Sequence, residues 1–169
     1  MNITQATVAD IDAITELIRQ AVRIMQKNGI DQWNDNYPNK NLVTDDVAMG
    51  SLFKITVDGN IAGIVTLNEL QFPDYSKIHW KDSTGRPLVV HRLCIDPRYQ
   101  GKSLAKRLMF FAEEYAKKNG YSSIRLDTYS KNYIALKLYK SLKYEQGGDV
   151  SLREGKVFHC FEKAIKPKS

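Results

Sequence analysis

Residues 93–105 read Leu93-Cys94-Ile95-Asp96-Pro97-Arg98-Tyr99-Gln100-Gly101-Lys102-Ser103-Leu104-Ala105, LCIDPRYQGKSLA. An apolar run over 88–95 leads into this stretch and predicts a central strand. From Ser103 onward Leu104, Leu108, Phe111/Ala112 and Tyr115 recur at helical spacing, and Asn119-Gly120 supplies a stop. The predicted order is strand, tight turn, helix. The first N–H groups of a helix lack internal acceptors and carry partial positive charge. Gly101 permits close backbone approach, and Arg98, Lys102, Lys106 and Arg107 form a basic patch without an acid between them. The loop is thus either a site for phosphate or pyrophosphate, or a solvated basic helix start.

The triplet Gly101-Lys102-Ser103 also closes the phosphate-binding loop of many NTPases, G-x-x-x-x-G-K-[ST]. Counting back from Gly101, the first glycine should stand at 96, where the chain has Asp96, followed by Pro97. The carboxylate would stand where phosphates sit, and proline removes an amide donor. The acid expected after an apolar strand would be Asp127, but Arg125 interrupts its run. ATP is therefore a distant reading.

The 169 residues predict a single domain over 1–169, with enough chain to bury a core. With 43% hydrophobic and 26% charged residues, the composition is that of an ordinary globular protein. No apolar run approaches the roughly 18 residues of a membrane span, and the first residues do not resemble a signal peptide, so no membrane role is expected. Cys94 and Cys160 lack CxxC spacing and lie in apolar strand-like surroundings, which suits buried free thiols in a reducing, cytoplasmic setting. The Cys and His positions give no metal signature. A net charge of +6 concentrated near residues 98–107 is too compact for a nucleic-acid stripe and suits one phosphorylated ligand.

Outward from the loop, the N-terminal segment 3–6 reads as a short strand. Thr7 and Asp10 read as a capping box before a helix with Ile11, Ile14, Leu17/Ile18, Ala21/Val22 and Met25 on one face, stopped by Asn28-Gly29. A second short helix is expected over 42–49, and two β runs around Asp58-Gly59 predict a hairpin. Residues 123–128 alternate like a strand. Residues 132–142 read as a helix with Ile134, Ala135, Leu138 and Leu142 inward. Strands are expected over 149–152 and 156–165. The fold class that follows is α/β, with a sheet of mixed direction.

Residues 93–97 together with Gln100, Gly101, Lys102, Ser103, Leu104 and Ala105 resemble motif A of the GNAT (Gcn5-related) N-acetyltransferases, Q/R-x-x-G-x-G/A. Gln100 and Ala105 match, while Ser103 replaces the central glycine. Downstream, Asn132, Ala135, Leu138 and Tyr139 are similar to the family's N-x-x-A-x-x-L-Y-x-x-x-G-F pattern. Lys143 stands where glycine is usual and Tyr144 where phenylalanine is. The specific motifs occupy about 88–144.

The resemblance implies a GNAT fold, a mixed, mostly antiparallel central sheet flanked by helices, and acetyl-CoA as co-substrate with no metal. It implies that the backbone of Leu93, Cys94 and Ile95 binds the pantetheine arm and polarises the thioester carbonyl. Gln100 to Ala105 would cradle the pyrophosphate, Asn132 would contact the cofactor and Tyr139 would protonate the departing thiolate. Such a site needs no cysteine nucleophile, so direct transfer from a ternary complex is expected. For the base, Asp127 ranks first, ahead of His91 and of Glu69 late in a strand. Tyr139 has the alternative reading of a core tyrosine, Asp127 that of a hydrogen-bonded acid at a strand end, and His91 that of a packed histidine.

Trp33, Tyr37, Phe72, Tyr75 and Trp80 lie in two irregular segments, where such rings help close a core; the resemblance implies that the segment between the first two helices, with Trp33 and Tyr37, lies near the acceptor cleft. Asp31, Asp35, Asp45 and Asp46 accompany the first pair. Carboxylates beside aromatic rings suit a cationic amine, so Trp33, Tyr37 and His91 are expected to contact a small amine or a peptide amino group. The alternatives are a non-catalytic acyl-CoA sensor and the phosphate-loop NTPase. The final strands could also pair across a homodimer, so monomer and homodimer both stay open.

Overall fold

The computed structural model describes residues 1–166. The chain divides into two compact units, residues 1–67 with 92–111, and residues 68–91 with the segment from Ala112 onward. Among the described residues, seven strands follow the order β1-β2-β3-β4-β5-β7-β6, and β4 contributes to both units.

In the first unit, β1 (Asn2–Gln5) precedes a 3-10 turn (Val8–Asp10) and α1 (Ile11–Lys27). The capping box forms: Thr7 N–H and Thr7 Oγ1 both donate to Asp10 Oδ2, at 2.8 and 3.0 Å. Ile11, Ile14, Leu17, Ile18, Ala21 and Val22 are buried at helical spacing, as the pattern requires. Asn28-Gly29 ends the helix with Gly29 at φ 74°, and Ile30 N–H bonds back to Met25 O at 2.8 Å. Helix α2 (Lys40–Ala48) is capped by Asn39, whose side chain accepts from Leu42 N–H at 3.0 Å. Strands β2 (Leu52–Val57) and β3 (Asn60–Asn68) are antiparallel, and their two-residue turn places Asp58 at φ 49° and Gly59 at φ 79°. Positive φ at both positions is the turn whose twist matches a hairpin. The core of this unit joins the apolar face of α1 to Leu52, Ile64 and Cys94. Each such fully buried aliphatic side chain stabilises by about 2 kcal/mol.

Strand β4 (Pro87–Ile95) begins in the second unit and ends in the first. It pairs in parallel with β5 (Ser123–Tyr129) over Pro87–Val89 against Ser123–Arg125. Helix α3 (Leu104–Lys118) joins the two strands and ends at Gly120, φ 74°. Helix α4 (Tyr133–Ser141), β6 (Glu145–Leu152) and β7 (Lys156–Ala164) complete the second unit, with β7 antiparallel to both β5 and β6. The element order matches the expectation throughout, and the sheet is mixed and mostly antiparallel.

Three local expectations are corrected. Ile134 is exposed, whereas Leu142 is buried as expected and Tyr139 joins it inside. Glu69 lies beyond β3, which stops at Asn68. Strand β6 starts four residues before the expected Asp149. Its first half contains Gly147 and Gly148, which hide the strand signal, and the register shifts between Gln146 and Gly148. Ile78 packs so close there that a Cβ on Gly148 would meet Ile78 Cδ1 at 2.9 Å.

Candidate functional site

The apolar run of β4 carries its extended backbone into the loop, with one interruption. Arg92 has φ 48°, a left-handed conformation in mid-strand that marks a bulge-like kink just before Leu93, Cys94 and Ile95. After Ile95 the chain is drawn back to β3 by Asp96 N–H on Ala62 O, 2.9 Å. The Asp96 side chain then caps the turn Pro97–Tyr99. Its oxygens accept from Arg98 N–H at 2.9 Å and from the Arg98 guanidinium at 2.7 to 3.2 Å. Arg98 holds the Asp96 carboxyl below the usual range. The acid that speaks against an ATP loop is therefore neutralised within its own turn, and Arg98 is engaged there too.

Gln100, Gly101, Lys102 and Ser103 are exposed. Gly101 has φ 78°, and Ser103 has φ 59°, so serine holds the backbone conformation that glycine holds most easily. Among the described residues the ladder of α3 begins with Arg107 N–H on Ser103 O, 3.1 Å. The N–H groups of Leu104, Ala105 and Lys106 thus have no helical acceptor. With the side chains of Lys102, Lys106 and Arg107 nearby in sequence, these residues fit an anionic group such as a pyrophosphate. A cavity of about 490 Å³ in the same unit is lined by Asp96, Pro97 and Arg98 together with Leu17 and Ile24 of α1.

Strand β5 positions Asp127 in the second unit. The Tyr75 hydroxyl donates to Asp127 Oδ2 at 2.5 Å. Burial raises the Asp127 carboxyl above its ordinary value, and the Tyr75 hydrogen bond and the Arg153 charge oppose that rise. Cys160 is the register partner of Asp127 on β7. Tyr139, on α4, is only 6% exposed; its ring packs 5.9 Å from Phe161 and 6.1 Å from Tyr144. Burial, then the negative charge of Asp127, push its phenol up, so it stays protonated at neutral pH. The structure therefore brings Asp127 and Tyr139 into one electrostatic neighbourhood. Tyr139 is at once a packed core residue and a phenol able to give a proton.

Asn132 caps α4, its side chain accepting from Ala135 N–H at 3.1 Å. His91 is half-buried, its Nε2 2.8 Å from Asn68 Oδ1. Glu69 is engaged by Arg86 and by the Tyr121 hydroxyl, and both hold its carboxyl down, which suits a surface ion pair better than a base. Trp33 is buried in the α1 core cluster and Tyr37 packs against it, so these two rings close the core. Of the accompanying acids, Asp31, Asp35 and Asp45 are exposed, whereas Asp46 is buried and paired with Arg92.

Two partners of the site escaped sequence reasoning. Tyr75 counts in the sequence only as one ring in an irregular loop. Arg125 counts only as an interruption of a strand. In the structure Arg125 pairs with Glu162 at 3.3 Å, both buried, and lies 4.4 Å from the Trp80 ring. A charge at an inward position of an alternating strand requires a buried partner, and that signal was present in residues 123–128.

The model of the acetyltransferase (GNAT) family matches residues 16–144. The chain is 26% identical over 165 residues to an uncharacterized N-acetyltransferase, YesJ, of Bacillus subtilis, covering 95% of this chain and 88% of that protein. It is 36% identical over 100 residues to the N-acetylaspartate synthetase of Mus musculus, covering 59% of this chain but only 29% of that longer protein. Among solved structures, a GNAT-family acetyltransferase from Streptococcus agalactiae superposes with a TM-score of 0.85 at 29% identity, covering 99% and 96% of the two chains. The structure of yncA from Salmonella typhimurium, solved with its cofactor acetyl-CoA, shares the fold at a TM-score of 0.72 and 18% identity over 99% and 95% of the two chains. The chain belongs to the GNAT family of acetyltransferases.

Proposed function

We propose that the protein transfers the acetyl group of acetyl-CoA directly to a cationic primary amine, a small molecule or a peptide amino group. One observation carries the proton-transfer side of this reading. Asp127 is a raised carboxyl beside a protonated, buried Tyr139. A carboxylate shifted toward neutral pH is a better base than an ordinary one, and the Tyr139 phenol, held protonated by its surroundings, carries the proton that the departing thiolate takes, at a weaker acidity than an ordinary tyrosine.

Acetyl-CoA, when bound, supplies an activated acyl carbon at which an N–C bond forms as the C–S bond breaks. The N–H groups of Leu104, Ala105 and Lys106, with Gln100 to Ser103, hold its pyrophosphate. The backbone of Leu93, Cys94 and Ile95 orients the pantetheine arm and stabilises charge on the carbonyl oxygen. Asp127 takes the proton from the acceptor nitrogen, and Tyr139 gives one to the departing sulfur. Asn132 fixes the start of α4 and with it Tyr139. The relative named N-acetylaspartate synthetase places an amino acid among the acceptors to be compared.

Thermal shift with acetyl-CoA, CoA and Mg-ATP, followed by thiol release on a panel of polyamines, peptides and amino acids including aspartate, tests the reading. CoA compounds should stabilise the chain, and cationic acceptors should release thiol. Stabilisation by Mg-ATP alone points to the NTPase, and CoA binding without thiol release points to a sensor. Acetylation confined to neutral or anionic acceptors refutes the acceptor class. Tyr139→Phe should lower kcat more than CoA affinity, and unchanged turnover removes it from the mechanism.

A further inference from the structure

Tyr75 lies in the segment between β3 and β4, in a 3-10 turn (Pro73–Lys77), and it is only 2% exposed. Deep burial in an irregular segment is unusual for a tyrosine, and its hydroxyl is directed to one atom, Asp127 Oδ2, at 2.5 Å.

The segment carrying Tyr75 is fastened on both sides. Trp80 Nε1–H donates to Tyr75 O at 2.9 Å, and the two rings lie 5.3 Å apart. Arg125 donates to Gln71 Oε1 at 2.9 Å and to Asp82 O at 2.5 Å, so one guanidinium spans the loop from its start to its end. Glu162 balances that charge and accepts from Lys81 N–H at 2.8 Å. Arg125 and Asp127 are alternate residues of β5 and share a face with their register partners Glu162 and Cys160. The strand that presents the carboxylate therefore also anchors the loop that presents the hydroxyl.

We propose that Tyr75 is a positioning residue for acetyl transfer: its hydroxyl occupies Oδ2 of Asp127, fixing the carboxylate so that Oδ1 takes the proton of the acceptor amine. This rests on Asp127 being the base. The acceptor reacts as the neutral amine, its ammonium proton having passed to solvent; in the step itself a second proton leaves the nitrogen for Oδ1, the N–C bond forms and the C–S bond breaks. The Tyr139 phenol protonates the sulfur, and the proton on Asp127 then passes to the tyrosinate, which restores both groups. The groups facing Asp127 are Tyr75 from the loop, Cys160 from β7, Tyr139 from α4 and Arg153 from the turn after β6. Of these, Tyr75 and Arg153 favour the ionised carboxylate.

Tyr75→Phe, Asp127→Asn and the double variant separate the possibilities. Tyr75→Phe should lower kcat about tenfold and leave KM for acetyl-CoA within about twofold, a loss smaller than that of a whole general base. In the ligand-free protein, the Asp127 carboxyl titration followed by 13C NMR should move to higher pH. In the Asp127→Asn background, adding Tyr75→Phe should change kcat by less than about twofold, since residues that act as a unit are not additive. If Asp127→Asn abolishes turnover while Tyr75→Phe leaves both kcat and the titration unchanged, the role of Tyr75 is overturned and the base stands. If Asp127→Asn turns over like the native enzyme, the base and the Tyr75 role fall together. Should Tyr75→Phe alone not fold, the double variant has no carboxylate to leave unpaired. A further large loss of kcat there, relative to Asp127→Asn, overturns the proposal.

Discussion

Two hydrogen bonds of 2.7 and 2.8 Å join the guanidinium of Arg92 on β4 to the carboxylate of Asp46 on α2. Thr66 Oγ1 adds a third to the same carboxylate at 2.9 Å. The two charged side chains are only 10% and 7% exposed, so each depends on the other for solvation. Arg92 also holds φ 48°, a conformation that costs a non-glycine residue about 1 kcal/mol. The pair thus holds the kink that precedes Leu93, Cys94 and Ile95. Asp46→Ala leaves a buried guanidinium unpaired and should cost about 3–5 kcal/mol, read as a fall in Tm of about 10 °C. The apolar double replacement Asp46→Leu with Arg92→Met should recover most of that loss. A Tm within about 2 °C of native for Asp46→Ala would show that the pair is not buried in solution.

The elements that sequence reasoning located are those with local causes. Asp58-Gly59 demands its turn from two residues alone, and the face of α1 follows from spacing alone. Tyr139 stands out because a motif marks it, and Asp127 because it is an acid at the end of an apolar strand just before that motif. Tyr75 does not, because its partner lies 52 residues away and only the placement of the loop joins them. The inward face of α4 does not follow from spacing, because the helix is short and its apolar residues go most of the way round it. The burial of Tyr139 and Leu142 decides which side faces in.

Two departures from the GNAT pattern share one physical cost. Ser103 at φ 59° and Lys143 at φ 65° both occupy the glycine conformation where the family pattern has glycine. At Lys143 the helix end closes with Tyr144 N–H on Tyr139 O, 3.0 Å, the bond that ordinarily accompanies a glycine there. Ser103→Gly and Lys143→Gly should each stabilise by about 0.5–1 kcal/mol, strain relief exceeding the added unfolded-state entropy. Chemical denaturation measures this. Calorimetry should show that Ser103→Gly preserves or tightens CoA binding. A severalfold weakening would mean that the serine hydroxyl, and not the backbone, is the ligand.

Neither thiol is suited to carry the acetyl group. Cys94 and Cys160 are buried, and burial pushes both thiols up to about 12, with Asp96 adding to Cys94 and Asp127 to Cys160. At neutral pH both are protonated, and a thiol attacks poorly. Cys94→Ala and Cys160→Ala should keep kcat within about threefold, and initial-velocity lines should intersect, as a ternary complex requires. An acetylated cysteine trapped with acetyl-CoA in the absence of acceptor would replace direct transfer with a two-step route.

The raised carboxyl of Asp127 makes a stability prediction with a definite sign. Burial disfavours the ionised form, so the folded state binds this proton more tightly than the unfolded chain does. The protonated form therefore contributes stability that is complete below the ordinary aspartate value of 3.8 and is lost as pH rises through the folded value. Above that value the native protein bears the cost of a buried carboxylate that Asp127→Asn does not. The variant should melt above the native protein at pH 7, and the gap should close as pH falls toward 4. Asparagine keeps an oxygen for the Tyr75 hydroxyl, so the comparison isolates the charge. A variant that melts lower at pH 7, with the gap widening as pH rises, would mean that Tyr75 and Arg153 outweigh burial. Asp127 would then be a strong structural acid and a poor base.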